Sequence, residues 1–459
     1  ADVHHIAADA AHAALIALRA GVDQDLPEGA AFAHLVDAVN HGEVKMAEID
    51  AAVRRILDLK FRAGLFEQPY ADAAQAKRES NTPQAIELAR RAAERSMVLL
   101  KNDGMLPLDL PAAGSARPKI AVIGPSTSVA RLGGYYGDPP HKVSILDGIL
   151  AYVGDRAQVV HAEGVKITLD DDWWADEVKL ADPAENARLI AQAVEVARGA
   201  NVIVLTLGDT EQTSREAWAD SHLGDRDSLD LVGQQQALFD ALRALDKPIV
   251  VILINGRPAS VTAIAQQANA IIEGWYLGEQ TGPAVANVLF GAVSPGGKLP
   301  VTIPRSAGQL PAFYNVKPSA RRGYLFDSAA PLFPFGYGLS YSKIEMSPPR
   351  LSSASITAGN SVDVSVGLRN TGTRVADETV QIYVRDKVSS VTRPVKELKA
   401  FRRVTLKPGE SRDVTLTLDH RAFELWNTDM KRVVEPGEFV IMSGPNSVDL
   451  QPTTLTVAP

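Results

Sequence analysis

Short apolar segments alternate with segments of helical periodicity through the middle of the chain, and this alternation restricts the possible folds more than any other feature. Each strand-length apolar run is followed by a stretch whose apolar residues recur at helical spacing. The predicted strands are residues 97–101, 119–125, 158–162, 202–207, 248–253 and 270–275. Strands that alternate with helices form a largely parallel sheet with helices on both faces. We therefore predict an α/β domain over residues 84–341.

One connection in this predicted domain is long and strongly polar. Residues 208–231 join the strand at 202–207 to a helix predicted at 232–242, and they contain seven Asp and Glu residues, two arginines and Trp218. Ligands bind open α/β sheets beyond the carboxyl ends of the strands, and long connections without an element of their own are often functional. Carboxyl groups perform acid–base chemistry, and an indole ring offers a sugar an apolar face. The pattern indicates a carbohydrate site; the alternative is a solvated acidic loop.

The C-terminal part of the chain has a different periodicity. Apolar and polar residues alternate with period two in several short runs separated by turn signals; the predicted strands are residues 362–368, 379–384, 412–418 and 439–443. Regularly spaced short strands are typical of an antiparallel β-sandwich, which we place at residues 342–459. No cluster of carboxyl groups or histidines occurs in it. We predict a supporting role, and an independent sugar-binding module is the alternative.

The N-terminal part resembles an incomplete domain. Residues 9–20 favour a helix, 22–26 a short strand, and 32–40 and 46–62 two further helices. This is one repeat of a (β/α) barrel, and a single repeat cannot bury its own apolar faces. We expect residues 1–70 to be the C-terminal end of a barrel whose remainder lies outside this chain, and residues 71–83 to be a polar linker.

Composition narrows the classes of partner. Hydrophobic residues make up 46% and charged residues 22% of the chain, which is typical of globular domains. The net charge is −8 without a long basic run, which argues against nucleic acid and anionic membranes as partners. The chain has no Cys, so disulfides, thiolate metal sites and a Cys nucleophile are excluded. The Gly133–Gly134 pair alone is too weak a signal for a nucleotide site.

Taken together, these segments resemble the C-terminal two-thirds of glycoside hydrolase family 3, the β-glucosidase, β-xylosidase and exoglucanase group. The resemblance is carried, in order, by residues 20–25 (AGVDQD), 49–57, 60–70, 93–102, 255–258 (NGRP), 274–278 (GWYLG), 289–300, 334–341 (PFGYGLSY) and 393–401. It implies the last repeat of a (β/α)8 barrel, then an α/β sandwich domain, then a fibronectin-III-like domain.

The resemblance also implies a retaining glycosidase with two carboxyl groups about 5–5.5 Å apart, one a nucleophile and the other an acid/base. The family's nucleophile is an Asp in a Ser-Asp-Trp or Ser-Asp-Tyr motif, and neither motif occurs here. We expect the nucleophile on an N-terminal barrel segment outside this chain. Asp23 and Asp25 match positions that the family uses for support; these two and Asp2 are the alternatives.

The acid/base residue implied by the resemblance is Glu216, which lies at the family's distance from Gly208; Glu211 is the competitor. The Gly133-Gly-Tyr-Tyr stretch is similar to a family loop whose aromatic residue stacks on the sugar at the leaving-group side. This similarity points to Tyr135 as a substrate-binding residue. Two further residues are predicted to bind substrate: Arg131, which alternatively braces its loop, and Trp218, which would help to cover the site.

The resemblance implies an exo-acting β-glycosidase that releases glucose from β-glucosides and cello-oligosaccharides. The alternatives are a β-xylosidase or another family 3 specificity, and a non-catalytic carbohydrate-binding accessory chain. The expected substrate is an oligosaccharide or aryl β-glucoside. No cofactor or metal is expected, because the mechanism needs none and no cluster with ligand spacing occurs. A homodimer and a periplasmic or secreted location complete the expectations.

Overall fold

The computed structural model describes residues 4–112, 114, 116–137, 139–319 and 323–459. The chain divides into two compact units, Ala1–Ala85 and Ile86–Pro459. In the described part of the chain, no helix combines the length and the apolar character needed to cross a membrane.

The first unit is helical. Its helices are α1 (Ala10–Arg19), α2 (Leu35–Asn40), α3 (Met46–Arg62) and α4 (Ala73–Glu79). The Asp9 side chain begins α1 by accepting a hydrogen bond from the His12 backbone N–H at 2.8 Å. A small apolar cluster forms its core, centred on Ala14, Leu18 and Val44.

Two features of this unit differ from the sequence-based expectations. Residues 22–26 are not a strand; a barrel strand takes its hydrogen bonds from neighbouring strands, and the described residues of this unit contain none. The predicted linker contains α4, because Asp72 accepts from the backbone N–H groups of Ala74 (2.8 Å) and Gln75 (3.0 Å) and strong helix formers follow.

The second unit begins with the predicted α/β domain, which is confirmed. Among the described residues its sheet has six strands in the order β1-β6-β5-β4-β2-β3, and all neighbours are parallel except β1 and β6. The strands are β1 (Val98–Asn102), β2 (Lys119–Ile123), β3 (Gln158–Ala162), β4 (Val202–Gly208), β5 (Ile249–Ile254) and β6 (Ala270–Glu273). The helices are α5 (Pro83–Ser96), α6 (Ile145–Val153), α7 (Pro183–Arg198), α8 (Glu211–Ser214), α9 (Gln235–Arg243), α10 (Thr262–Gln267) and α11 (Thr281–Leu289).

Apolar cores lie on both faces of this sheet. On β4, Leu205 packs into one cluster with Phe239 of α9, whereas Val204 packs into the other with Ile149 of α6 and Val285 of α11. Because successive side chains of a strand point to opposite faces, a strand covered on both sides must be apolar throughout. Strands β4, β5 and β6 are accordingly buried along their whole length.

The strand order reverses between β2 and β4. From β2 the chain passes outward to β3, then returns to β4 and continues in the other direction to β5 and β6. The loops that follow β2 and β4 therefore leave the sheet on either side of a crevice at its carboxyl edge. In open α/β sheets this reversal is the usual place for a ligand.

The C-terminal part is the predicted antiparallel sandwich. One sheet has the order β13-β10-β7 with β8 also paired to β10, and the other has the order β12-β11-β16-β17-β9. The strands are β7 (Ile344–Met346), β8 (Arg350–Leu351), β9 (Ser355–Thr357), β10 (Val362–Asn370), β11 (Ala376–Asp386), β12 (Glu397–Leu406), β13 (Ser411–Leu418), β14 (Leu425–Trp426), β15 (Arg432–Val433), β16 (Gly437–Gly444) and β17 (Gln451–Ala458).

Buried polar contacts connect the sandwich to the α/β domain. The amide nitrogen of Gln381, on β11, donates to the carbonyl oxygen of Gly336 in the α/β domain (3.0 Å) and to that of Pro445 within the sandwich (2.7 Å). Lys298 forms a largely buried ion pair with Glu378 at 2.7 Å. These contacts join the two domains through buried groups; a supporting role for the sandwich stays a prediction.

Candidate active site

The polar loop begins at Gly208, the last residue of β4. Any other residue at this position would displace the neighbouring strand backbone. Gly208 has a φ of +140°, and a Cβ there would lie 1.9 Å from the Ile254 carbonyl oxygen. The buried side chain of Gln235, at the start of α9, accepts from the Gly208 N–H and donates to the Gly208 carbonyl, both at 2.8 Å. The end of β4 is thereby tied to the helix that follows the loop.

An ion pair crosses the crevice where the strand order reverses. Arg131 follows β2 and Glu211 follows β4, and Arg131 Nη1 lies 2.9 Å from Glu211 Oε2 with both side chains almost buried. The other Glu211 oxygen accepts from the Leu132 N–H at 3.1 Å. Burial opposes the charge of Arg131, but Glu211 and the exposed Asp171 outweigh it and raise the pKa of the guanidinium. These are the contacts of a residue that braces its loop; substrate binding by Arg131 stays a prediction.

Glu216 is exposed on a loop that is anchored on either side of it. The buried Arg215 donates to the carbonyl oxygens of Leu223 (2.7 Å), Trp173 (2.8 Å) and Asp176 (3.1 Å). Gly224 packs so closely that a Cβ there would lie 2.3 Å from the Glu216 carbonyl carbon. The backbone that carries Glu216 is thus held firmly while its side chain faces solvent.

The arginines beside Glu216 have other partners. Arg226 Nη1 lies 2.9 Å from Asp209 Oδ1, and the guanidinium of Arg215 donates to backbone carbonyls. In the part of the chain that the structure describes, neither arginine forms an ion pair with Glu216. The Glu216 carboxylate therefore has room for another partner.

The predicted aromatic residues, Tyr135 and Trp218, are exposed on the surface. Tyr135 is 99% exposed and adopts a left-handed backbone with a φ of 61°. Its ring meets that of Trp173 edge-on, with ring centroids 5.9 Å apart. Trp218 is also exposed and lies against the buried His222, with centroids 4.9 Å apart. Tyr135 thus lies on the same loop as Arg131, and Trp218 lies on the loop of Glu216.

A buried acidic cluster lies at the carboxyl ends of β4, β5 and β6, and we did not predict it from the sequence. Glu273 accepts a hydrogen bond from the Trp275 N–H at 3.1 Å. It accepts a second from the side-chain nitrogen of Asn255 at 3.1 Å, in the amide orientation in which this nitrogen faces acceptors. Burial, with a contribution from Asp209, raises the pKa of Glu273 to about 8. Burial also raises the pKa of Asp209, which Arg226 only partly offsets. The only sequence signal was a charged residue ending an apolar strand.

The pH dependence of stability should reveal this cluster. The ordinary pKa of Glu273 is 4.5, and in the folded protein it is about 8. Between these values the folded state keeps a proton that the unfolded state has released, so stability falls as pH rises. We expect Glu273→Gln to remove this fall. From pH 5 to 8, the free energy of unfolding of the variant should therefore rise relative to that of the unaltered protein by roughly 1 kcal/mol per pH unit. Urea unfolding at four pH values measures the free energy of unfolding of both proteins. The same dependence on pH in the variant and the unaltered protein would contradict this expectation.

The carboxylates of the first unit that were considered as nucleophiles have structural partners. Asp23 forms a bidentate pair with Arg55, which holds its pKa below the usual value. Asp25 accepts from the backbone N–H groups of Ala31 (2.9 Å) and Phe32 (3.2 Å). Asp2 lies outside the described residues. Across the described ranges, no group of three or more His, Asp or Glu side chains could hold a metal ion.

Comparison with known proteins shows which protein families this chain resembles. Residues 97–341 match the glycosyl hydrolase family 3 C-terminal domain, and residues 378–447 match the fibronectin type III-like domain. A beta-xylosidase of Formosa agariphila is 40% identical, over 99% of this chain and 62% of its own length. The periplasmic beta-glucosidase of Salmonella typhimurium is 37% identical, over 97% of this chain and 60% of its own length.

Solved structures of beta-glucosidases are similar to this chain over nearly its whole length. A b-glucosidase from Erythrobacter marinus superposes with a TM-score of 0.93 at 44% identity, covering 99% of this chain and 61% of that one. A beta-glucosidase from Listeria innocua in complex with glucose gives a TM-score of 0.85 at 30% identity, with 99% and 61% covered. This chain thus spans about three-fifths of the length of these relatives. Because the family profile covers more than half of it, the chain belongs to glycosyl hydrolase family 3, of which it carries the C-terminal α/β domain and the fibronectin type III-like domain.

Proposed function

We propose that this chain is the C-terminal part of a retaining exo-acting β-glycosidase, and that Glu216 is its acid/base. The nucleophilic Asp comes from a barrel segment outside the chain. One observation carries the proposal: Glu216, which has no partner in the described part of the chain, lies on an anchored loop at the carboxyl edge of the sheet, where open α/β sheets bind ligands.

The competitor, Glu211, is less suited to proton transfer. Both of its carboxylate oxygens are engaged, one by Arg131 and the other by the Leu132 N–H. A general acid must reach the leaving-group oxygen at about 2.6–3.2 Å, and Glu211 has no free oxygen with which to do so. Glu216 has no such partner among the described residues. We assign Glu211 to holding the loop and Glu216 to the chemistry.

In the proposed mechanism Glu216 acts twice. It donates its proton to the glycosidic oxygen while the nucleophile attacks the sugar, and then removes a proton from the water that hydrolyses the covalent intermediate. The negative charge of the nucleophile about 5–5.5 Å away would help Glu216 to keep its proton in the first step. Tyr135 and Trp218 would contact the departing sugar.

We propose glucose as the released sugar, with β-xylosidase activity as the second candidate. The names of the relatives support both, since beta-xylosidases and beta-glucosidases occur at 37–40% identity. The sugar at the cleaved position would be contacted mainly by barrel loops, which lie outside this chain. For location we propose the periplasm or the cell exterior, as the Salmonella relative is named periplasmic; cell fractionation tests it.

The test compares the chain alone with the chain joined to a complete family 3 barrel. Both are assayed with nitrophenyl β-glucoside, β-xyloside and N-acetylglucosaminide. We expect the chain alone to be inactive and the joined protein to cleave the glucoside best. Preference for the xyloside would select the second candidate. A joined protein that binds cello-oligosaccharides but cleaves no glycoside would instead support a non-catalytic accessory chain.

A further inference from the structure

Residues 170–176, here called the tryptophan segment, are fastened to the loop that carries Glu216. Arg215 donates to the carbonyl oxygens of Trp173 and Asp176. The Gln212 side chain donates to the carbonyl oxygen of Asp172 at 2.5 Å and to Asp170 Oδ1 at 3.2 Å. A surface insertion with no role at the site would not need two buried side chains of the acid/base loop to hold its backbone.

Within this segment, Trp173 contacts the loop of Tyr135 at two points. Its ring packs over Gly134, where a Cβ would lie only 2.6 Å from the Trp173 Cη2 atom. Its ring also meets Tyr135 edge-on, at an interplanar angle of 73°. Edge-to-face pairs at this separation are favourable by about 0.5–1.5 kcal/mol.

Tyr135 needs such a support. It is almost fully exposed and has a left-handed backbone, which is uncommon for a bulky residue. An exposed ring without neighbours would sample several rotamers, and fixing one of them on binding would cost affinity. The edge contact with Trp173 leaves almost all of the Tyr135 surface exposed, so its effect would be to favour one orientation of the ring before a ligand arrives.

We infer that Trp173 is a positioning residue that holds the Tyr135 ring as a platform for the group leaving the reaction, namely the second sugar of an oligosaccharide. The inference rests on the proposed function, because it presumes cleavage beside Glu216. The apolar C–H face of a pyranose stacks on an aromatic ring, so a fixed ring favours extended β-glucosides over substrates with a small leaving group. Trp173 thereby acts on selectivity through Tyr135 and does not take part in the chemistry.

The test is a double-mutant cycle in the chain joined to a complete family 3 barrel. Trp173→Ala, Tyr135→Ala and the double variant are assayed with cellotriose and with β-glucosyl fluoride, whose leaving group occupies no sugar site. We expect each single variant to raise KM for cellotriose about five- to tenfold, which corresponds to one ring contact. The kcat on cellotriose and both constants on the fluoride should change less than about twofold, because transition-state contacts at the cleaved bond are intact.

Because Trp173 acts through Tyr135, the double variant should be no worse than either single variant. Trp173→Phe should recover most of the affinity. Trp174→Ala is the matched control, since this neighbouring indole is exposed and has no ring partner among the described residues; its effect should be small and additive with Tyr135→Ala. If Trp173→Ala folds poorly, Trp173→Leu takes its place in the cycle, because it keeps an apolar side chain over Gly134 but removes the ring that meets Tyr135.

Two outcomes overturn the inference while leaving the proposed function in place. In one, an active protein loses cellotriose and fluoride turnover equally in Trp173→Ala. In the other, Trp173→Ala and Tyr135→Ala are fully additive, so that the residues act independently. A joined protein that cleaves neither substrate would overturn the proposed function, and the inference with it.

Discussion

Replacement of Glu216 by alanine is expected to slow the hydrolysis of cellobiose by about 10²–10⁴-fold in the chain joined to a complete barrel. The departing glucose is a poor leaving group and must be protonated as the bond breaks. Glu216 has no partner among the described residues, whereas its competitor Glu211 is held by Arg131. The kcat/KM values of the variant and the unaltered protein measure the effect.

The leaving group separates a chemical role from a structural one. A dinitrophenyl β-glucoside needs little protonation, so Glu216→Ala should form the covalent intermediate on it at a nearly normal rate. Azide, which needs no general base, should then accelerate the second step and yield a glycosyl azide. Asp220→Asn, an exposed acid on the same loop, is the matched control and should retain activity. Equal losses on cellobiose and the dinitrophenyl substrate would count against an acid/base role.

The second large effect concerns stability. Arg131→Ala should lower the free energy of unfolding by about 3–5 kcal/mol, because it leaves Glu211 buried without its counter-charge. Asp171 is mostly exposed and can be solvated, so its loss of a partner adds little. Urea unfolding at neutral pH measures the change.

Two further variants test whether burial of the ion pair causes the expected loss of stability in Arg131→Ala. The double variant Arg131→Met/Glu211→Met removes both charges and should recover much of the loss. Arg198→Ala removes a shorter ion pair, 2.6 Å from Glu195, but both of its side chains are more than 60% exposed. It should change stability far less than Arg131→Ala does, because solvent screens an exposed pair. Similar losses for Arg131→Ala and Arg198→Ala would contradict this account.

The buried carboxylate Glu273 illustrates what the sequence could not reveal. It ends the apolar strand β6, and its neighbour Asn255 follows β5. Nothing in their sequence spacing shows that they meet Asp209 beneath the site, since parallel pairing alone brings the ends of β4, β5 and β6 together. The ionisation of these groups depends on burial, which exists only after folding.

Local patterns were enough for much of the architecture. Fully apolar runs predicted the buried parallel strands, and period-two alternation predicted the sandwich, because both follow from which strand faces are covered. Short-range patterns failed where tertiary partners or caps decide. Residues 22–26 have strand composition but no neighbouring strand among the described residues of their unit, and Asp72 begins a helix inside the expected linker.

The sequence by itself therefore determined the order of the domains, the family and the loop that carries the candidate acid/base, since these depend on periodicity and on motifs along the chain. The tertiary structure decided the roles within that loop. Glu211 and Glu216 are chemically identical and five positions apart, and only the crossing from β2 brings Arg131 to one of them. Charge pairing between distant segments, which composition cannot specify, engages Glu211 and leaves Glu216 without a partner among the described residues.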